Sequence, residues 1–344
     1  MLTYGEYKDV LASVMGKTIA VVYIFEGDRA PGFKHYEVWK GDLVGEWIQA
    51  VNELRCMPLI FDTRTFVQKA MDGSLPYIDF VVNLNNGTFN VSTLGLVPSV
   101  CAFLDIPCIP CNADSLLAGE NKRISNLLAF AQSLNVPVEL ERHNPQGIFR
   151  PLSCGSSIGV VKGEIKGEKE TAGIYQEFIP GFDMTTPLLY NPLTLQLEVM
   201  PPVAYIPANN DLNWFLGEQQ KKMHNGYQKV ITSIDQNSKQ HYLKFAASLS
   251  INTFCRIDAR VKCENIEGLH DSINGTICSN SIFFLEINPT PTIKKGINFH
   301  TSLEGLTSAD AMYRCRKYYS QVIEHSSITG FILSNALIAI QSHV

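Results

Sequence analysis

The sequence predicts a mixed α/β fold, and three observations lead to that prediction. In the first third of the chain, apolar runs too short for helices alternate with helical patterns, as in a parallel sheet layered with helices. Beyond residue 183 the apolar runs follow one another more directly, which is typical of antiparallel strands. Hydrophobic residues make up 45% of the 344 residues and charged residues 18%, so the chain can bury a core.

The predicted elements of the first third follow this alternation. Strands are predicted at residues 18–25, 57–61 and 77–84, because each is an apolar run shorter than a helix. A helix lies between the first two strands, where Val44, Trp47, Ile48 and Val51 recur at helical spacing. Further helices are predicted at residues 98–104 and 121–134, on either side of an extended piece at residues 106–111.

The rest of the chain is predicted to add two α+β subdomains. Strands are predicted at residues 148–152, 160–161, 174–179, 184–189, 193–200, 253–262 and 281–288. Helices are predicted at residues 238–250 and, as a packed terminal helix, at 331–340. The predicted units are residues 1–112, 113–182 and 183–344. Residues 205–227 lack clear periodicity, so we expect a long mobile loop that acts as a lid.

Composition and charge argue against several classes of protein. The net charge is −5 and the isoelectric point is about 5.9, whereas proteins that bind nucleic acid or anionic membranes are usually basic. No apolar run approaches the roughly 18 residues that span a bilayer, and no signal-peptide pattern is evident. The nine cysteines are an odd number and fit reduced thiols. We therefore expect a cytoplasmic protein that binds neither nucleic acid nor a membrane.

Two strands near the C-terminus carry the most informative side chains. Arg256 and Asp258 alternate on one strand, and Glu286 and Asn288 alternate on another, so each pair shares one face of its strand. If the strands pair, the two faces form an all-oxygen set that suits Mg²⁺. The alternative is surface carboxylates on an edge strand. The apolar run before Glu286 argues against that alternative, because a buried strand rarely carries acids without partners.

Two further segments have the composition of nucleotide-binding elements. The small-residue loop at 153–160 could turn backbone amides and serine hydroxyls toward an anion, although glycine–serine turns are common. The strand at 175–179 leaves into Pro180-Gly181, where backbone groups could meet an adenine edge and Asp183 could accept hydrogen bonds from ribose. An ordinary strand and turn is the alternative for this second segment.

In this order and spacing, the motifs resemble the ATP-grasp superfamily, and specifically the D-alanine–D-alanine ligase branch. Residues 155–160 are similar to its Gly-Ser-Ser-x-Gly-Val loop, and residues 181–183 to its Gly-x-acid step. Residues 256–258 are similar to its Arg-x-Asp strand, and residues 286–288 to its Glu-x-Asn metal pair. The resemblance covers roughly residues 18 to 305 and implies an N-terminal parallel α/β domain followed by two subdomains that clamp ATP.

The resemblance also implies a role for each matching residue. The implied catalytic residues are Arg256 and Ser157. Lys222 is a third candidate, because the pair Lys221-Lys222 in the expected lid could reach the γ-phosphate when the lid closes; a solvated charge pair is the alternative. The implied ATP ligands are Lys122, Arg150, Ser156, Ser157, Gln176, Glu177, Phe178, Ile179 and Asp183. The implied ligands of two Mg²⁺ ions, with Mn²⁺ as a substitute, are Asp258, Glu286 and Asn288. Arginine at position 150 replaces the family's usual lysine, and a guanidinium can still hold phosphate.

The substrate positions depart from the family pattern. The implied substrate residues are Glu37, Thr292, Lys294 and Ile297. Glu37 matches the family's first-loop glutamate loosely, Thr292 replaces a glycine, and Ile297 falls near a serine. Lys294 follows the metal strand and could bind a substrate carboxylate. ATP binding is thus expected to be retained while the substrate pocket is changed.

These motifs and the resemblance together predict an ADP-forming ligase that joins an amino acid to an acidic small molecule through a phosphorylated intermediate. The sequence is most similar to the ligases of mycosporine-like amino acid biosynthesis, which implies mycosporine-glycine and L-threonine or L-serine as substrates, and we expect a homodimer. One alternative is a divergent D-Ala–D-Ala or other dipeptide ligase. Another is a nucleotide-binding regulator without turnover, which the presence of all three metal residues disfavours.

Overall fold

The computed structural model describes residues 2–24, 41–87, 93–141, 144–153, 155, 157–163, 172–223, 226–294 and 296–342. Its strands are β1 (Thr18–Tyr23), β2 (Met57–Asp62), β3 (Phe80–Leu84), β4 (Cys108–Ile109), β5 (Gly147–Pro151), β6 (Val161–Lys162), β7 (Gly173–Glu177), β8 (Gly181–Asn191), β9 (Gln196–Val199), β10 (Val203–Pro207), β11 (Tyr227–Ile231), β12 (Ser233–Ile234), β13 (Phe254–Lys262), β14 (Thr276–Ile277) and β15 (Ile282–Asn288). Its α-helices are α1 (Tyr4–Val14), α2 (Gly41–Glu53), α3 (Thr63–Met71), α4 (Leu96–Phe103), α5 (Ala113–Glu120), α6 (Lys122–Ala131), α7 (Glu218–Met223), α8 (Gln236–Ser248), α9 (Ile266–Asn274), α10 (Asn298–Glu304), α11 (Ala311–Val322) and α12 (Ile328–Gln341).

The N-terminal part is built on a parallel four-stranded sheet in the order β2-β1-β3-β4. Strand β1 lies in its centre, and its residues from Ile19 to Val22 are buried because helices cover both faces of such a sheet. This arrangement confirms the parallel α/β layer that the alternation of strands and helices predicts.

The larger part is built on an antiparallel sheet of six strands. Its order is β11-β10-β8-β13-β15, with β9 pairing with β8 beside this path. A separate three-stranded antiparallel sheet has the order β6-β5-β7. The predicted mixed α/β and α+β class is confirmed by these three sheets.

The C-terminal helix α12 ties the two ends of the chain together. All of its residues from Thr329 to Ala339 are buried, which confirms the packed terminal helix expected from the apolar run. Its core also includes side chains of α1 and α2, and the rings of Trp47 and Phe254 stack with centroids 6.3 Å apart. One hydrophobic core therefore joins residues on both sides of the boundary proposed at residue 112. No helix among the described residues is long and apolar enough to cross a membrane.

Residues 205–227 were expected to be a loop throughout. That expectation is wrong at both ends, which belong to strands, and in the middle, which contains a short helix. Strand β10 continues to Pro207, helix α7 covers Glu218–Met223, and β11 begins at Tyr227. The start of the segment is held by pairing of β10 with β8 and β11, a contact that local periodicity does not reveal.

Seven helices were not predicted: α7 in the segment just described, and α1, α3, α5, α9, α10 and α11 elsewhere. Four of them have side-chain caps that were present in the sequence: Thr3 and Glu6 form a capping box before α1, and Asp62, Asn112 and Asn265 cap α3, α5 and α9. These four helices are 8 to 11 residues long, so each offers few turns in which a helical period can be recognised.

Candidate active site

A cleft of about 330 Å³ is lined by residues of both the small sheet and the six-stranded sheet. One wall consists of residues from β5, β7 and the loop that follows β5, and the opposite wall of residues from β8, β10, β13 and β15. Most of the residues proposed from the sequence meet here, although they come from widely separated parts of the chain.

The register of β13 and β15 sets the chemistry of the opposite wall. In this antiparallel pair Asp258 lies across from Glu286, and Arg256 lies across from Asn288. The register shifts after Asp258, so that Leu285 is an extra residue on β15, and such bulges re-aim neighbouring side chains. The pairing expected from the alternating side chains is thus present.

Two buried cations, Lys122 and Arg150, form ion pairs with Glu286. Its Oε2 lies 3.3 Å from Nζ of Lys122 and 3.2 Å from a terminal nitrogen of Arg150. Burial raises the pKa of Glu286, but the charges of Lys122 and Arg150 outweigh it and bring that pKa to about 2. Glu286 is therefore ionised at neutral pH.

Helix α6 positions Lys122, and strand β5 positions Arg150. Asn121 caps α6 by accepting from the backbone N–H groups of Arg123 and Ile124, which places Lys122 at the first helical position. Arg150 also donates to the carbonyl of Leu285, at 2.9 Å, so the bulge residue helps to hold the guanidinium. Burial lowers the pKa of Arg150.

Asp258 is held by three donors. Arg256 donates to both carboxylate oxygens, at 2.9 and 2.7 Å, Asn288 donates at 3.0 Å, and the hydroxyl of Thr185 donates to Oδ1. Burial lowers the pKa of Arg256, but the adjoining carboxylate of Asp258 outweighs it and the net pKa is raised. Arg256 is thus a permanent cation directly beside Asp258 and across the strand pair from Asn288.

The donor set on this wall fits a divalent cation. Two carboxylates and one side-chain amide occupy neighbouring positions of paired strands, and hard cations such as Mg²⁺ prefer oxygen ligands of this kind. At least one of the carboxylates, Glu286, is fully ionised. No cluster of three or more His, Cys, Asp or Glu side chains that could hold a metal occurs in the described part of the chain, so Asn288 would complete this set.

The strand expected to face adenine does lie in the cleft. Gln176 is buried; its amide nitrogen donates to the carbonyl of Pro137 at 3.0 Å and its oxygen faces Arg150 at 3.4 Å. Glu177, Phe178 and Ile179 line the same wall. The carbonyl of Ile179 already accepts from Arg260.

Arg260 is one of the cleft residues that the sequence analysis missed, as are Thr185, Tyr205 and Lys229. Its guanidinium lies 3.2 Å from Asp183 and stacks over the ring of Phe178 at 4.6 Å. Only 3% of Arg260 is exposed, so these contacts are made out of water. A signal was available, because Arg256, Asp258 and Arg260 alternate along β13 and so share one face.

The small-residue loop approaches the segment proposed as a lid. Ser157 has a left-handed backbone with φ of 60°, and its hydroxyl donates to the carbonyl of Leu216 at 2.9 Å. Lys221 of α7 donates to the same hydroxyl at 3.0 Å and lines the cleft. Lys222 lies in α7 with its side chain outside the described part, and Ser156 lies outside the described residues altogether.

Of the four substrate residues proposed from the sequence, two line the cleft, one does not, and one lies outside the described residues. Thr292 and Ile297 line the cleft beyond Asn288. Lys294 is not among the lining residues and instead lies 2.5 Å from Asp42. Glu37 lies outside the described residues.

The fold is that of D-alanine–D-alanine ligases of known structure. The ligase of Bacillus anthracis complexed with ATP is 15% identical, with a TM-score of 0.60 over 95% of this chain and 100% of that one. The VanG D-Ala:D-Ser ligase of Enterococcus faecalis is 15% identical, with a TM-score of 0.56 over 90% of this chain and 100% of that one. D-alanyl-alanine synthetase A of Vibrio cholerae is 14% identical, with a TM-score of 0.57 over 90% of this chain and 99% of that one.

Comparison of the sequence itself with known proteins assigns it to no family. No model of a known protein family matches the sequence, and no curated protein matches it. The structural likeness confirms the predicted ATP-grasp architecture, similar to that of D-alanine–D-alanine ligases, over nearly the whole chain.

Proposed function

We propose that this chain, which has the fold of D-alanine–D-alanine ligases, is an ATP-dependent carboxylate–amine ligase that releases ADP and phosphate. One observation carries the proposal: Glu286, ionised and flanked by Asp258 and Asn288, lies within 3.3 Å of two buried cations in the same cleft. Buried cations grouped with hard anionic ligands are what a metal–triphosphate complex requires.

The residues of this chain would divide the binding of ATP between them. Lys122 and Arg150 would hold phosphate oxygens, with Ser157 and Lys221 approaching from the other side of the cleft. The segment from Glu177 to Ile179, at the end of β7, would face adenine, and Asp183 would face ribose. Asp258, Glu286 and Asn288 would hold Mg²⁺, which neutralises charge on the phosphate oxygens when it is bound.

The reaction proposed is a phosphoryl transfer that gives an acyl phosphate or its vinylogous equivalent, followed by attack of an amine on the activated carbon. An oxygen of the acid attacks the γ-phosphorus, an O–P bond forms, and the bond to ADP breaks. The amine then attacks the activated carbon, a C–N bond forms, phosphate leaves, and the amine loses a proton. Arg256 would stabilise the negative charge that develops at this centre, since it is a fixed cation on the same wall. Closure of the segment between β10 and β11 would keep water from hydrolysing the activated acid.

The side chains at the substrate end of the cleft favour an acid with more apolar surface than D-alanine. Thr292 places a branched side chain and Ile297 an apolar one on the wall beyond Asn288. Such a wall suits a ring-bearing acceptor. We therefore propose mycosporine-glycine as the acceptor and L-threonine or L-serine as the amine, with a divergent dipeptide ligase as the second candidate because the similar structures include D-Ala–D-Ala and D-Ala:D-Ser ligases.

The proposal is tested by measuring ADP release from MgATP against a panel of amino acids, with and without mycosporine-glycine. Release that needs both mycosporine-glycine and L-threonine or L-serine is the expected result. Release with amino acids alone would favour the dipeptide ligase. Nucleotide binding without release under any of these conditions would overturn the ligase assignment and leave a nucleotide-binding regulator.

A further inference from the structure

Lys229 lines the cleft beside the segment that follows Asn288. It is on β11, directly across from Tyr205 of β10, and both residues line the cleft. The ammonium donates to the carbonyl of Gly296 at 2.8 Å. Gly296 immediately precedes Ile297 and Asn298, which line the cleft as well, so Lys229 sits against the segment that follows the metal strand.

Two cations that line the cleft, Lys221 and Lys229, make no ion pair with a described residue, and Lys221 donates instead to the hydroxyl of Ser157. Lys122 and Arg150 contact Glu286, Arg256 contacts Asp258, and Arg260 contacts Asp183. Among the described residues, no carboxylate lies within ion-pair distance of Lys229, and a backbone carbonyl is its hydrogen-bond acceptor. Lys229 is half-buried, and burial lowers its pKa. A partly desolvated ammonium without an anion is a ready partner for an anionic ligand.

The surroundings of Lys229 narrow the chemistry of that ligand. Ile297 and the ring of Tyr227 provide apolar surface, and the hydroxyl of Tyr205 is committed to Asn298. The reacting oxygen of the acid must meet the γ-phosphate beside Glu286 and Asp258, so an anion at Lys229 would be a carboxylate that is not consumed. The amino acid that supplies the amine carries such a carboxylate, and so does the glycine arm of the proposed acceptor. Binding of threonine and threoninol with the acceptor already present distinguishes the two.

Resting on the ligase function proposed above, we propose that Lys229 anchors the α-carboxylate of the amino acid that supplies the amine. From the sequence, Lys294 was the lysine that could bind a substrate carboxylate. The structure gives Lys294 a different partner, Asp42, and places Lys229 in the cleft instead.

The test compares L-threonine with L-threoninol, which keeps the amine and replaces the carboxylate with an alcohol. Binding of each is measured by calorimetry on the full chain loaded with Mg²⁺ and a non-hydrolysable ATP analogue, with mycosporine-glycine present. In the unmodified protein we expect threonine to bind roughly 10- to 150-fold more tightly, the factor of one charge-assisted hydrogen bond. In Lys229→Met the preference should vanish, in Lys229→Arg it should be largely kept, and in Lys244→Met, which alters an exposed lysine of α8, it should be unchanged.

The outcomes separate this inference from the ligase proposal. A preference for threonine that survives in Lys229→Met, or no preference in the unmodified protein, would overturn the assignment of Lys229. Where ADP release is measured in parallel, Lys229→Met should raise the KM for threonine with little change in the KM for ATP. Carboxylate-dependent binding through Lys229 without ADP release would refute the ligase and keep the carboxylate site, because the binding measurement needs no turnover.

Discussion

The guanidinium of Arg260 lies 3.2 Å from the carboxylate of Asp183 and also reaches across the cleft to the segment between β10 and β11. It donates to the carbonyls of Leu212 and Trp214 at 3.0 and 2.6 Å, and to that of Gly181 at 3.0 Å. Asp183 in turn accepts from the backbone N–H of Leu216 at 2.6 Å. One buried ion pair thus fastens the segment between β10 and β11 to strands β8 and β13.

Replacing Arg260 with methionine should release the lid. Met fills a similar length but donates no hydrogen bond, so amide exchange at residues 212–217 should accelerate and the KM for ATP should rise roughly 10- to 100-fold. Arg123→Met is the matched control, because Arg123 forms a surface pair with Glu139 in which both side chains are more than half exposed. Exchange rates in Arg260→Met equal to those of the unmodified chain would contradict the tether.

Glu286→Gln should abolish ADP formation. The amide keeps the shape but removes the charge that faces Lys122 and Arg150 and that would ligate Mg²⁺. We expect a loss of at least about 100-fold, as for other groups that stabilise charge in the transition state. Steady-state ADP release measures it, with circular dichroism to verify folding. Glu139→Gln, which alters a glutamate paired with arginine on the surface, should be fully active. Normal turnover in Glu286→Gln would remove Glu286 from the site.

The same glutamate should leave a signature in acid stability. Its pKa in the folded chain is about 2, below its ordinary value of 4.5, so the stabilisation it contributes is complete above pH 4.5 and is lost as the pH falls toward 2. The difference in unfolding free energy between the unmodified chain and Glu286→Gln should therefore shrink across that window. Urea denaturation at a series of pH values measures this difference. A difference that stays constant down to pH 2 would show that the ion pairs do not favour the ionised form.

Gly181→Ala should disrupt the start of β8. Gly181 has φ of +143°, and a Cβ atom there would lie 1.8 Å from the carbonyl oxygen of Val261 on β13. Because backbone cannot move aside cheaply, we expect a loss of at least about 3 kcal/mol or failure to fold. Gly45→Ala is the matched control: its Cβ would meet nothing within 4 Å in α2, and alanine should stabilise by about 0.5–1 kcal/mol. Equal thermal stability of the two variants would contradict the packing of β8 on β13.

D-alanine alone should support negligible ADP release. Where a ligand carboxylate loses one charge-assisted donor, as expected from Ile297 in place of serine, binding falls by roughly 10- to 150-fold. The double variant Thr292→Gly, Ile297→Ser should gain activity with D-alanine, while the unmodified chain with mycosporine-glycine and L-threonine is the positive control. Robust turnover of D-alanine by the unmodified chain would show that the cleft wall does not exclude it.

Local patterns in the sequence were enough to predict which face of β13 and of β15 carries the charged and amide side chains. The alternation of Arg256 with Asp258 and of Glu286 with Asn288 predicted a shared oxygen-rich wall, and the register of β13 with β15 places these pairs opposite each other. The apolar run at the C-terminus likewise predicted a packed helix, since a helix apolar all round must be buried.

Local patterns could not predict which group each charged side chain contacts. That Lys122 and Arg150 both meet Glu286, that Arg260 holds Asp183, and that Lys229 rather than Lys294 enters the cleft depend on which distant strands pair and in what register. Periodicity within a segment reports the direction of a side chain relative to its own backbone. The group that it meets is set by packing between segments far apart in the chain, and no local pattern contains that information.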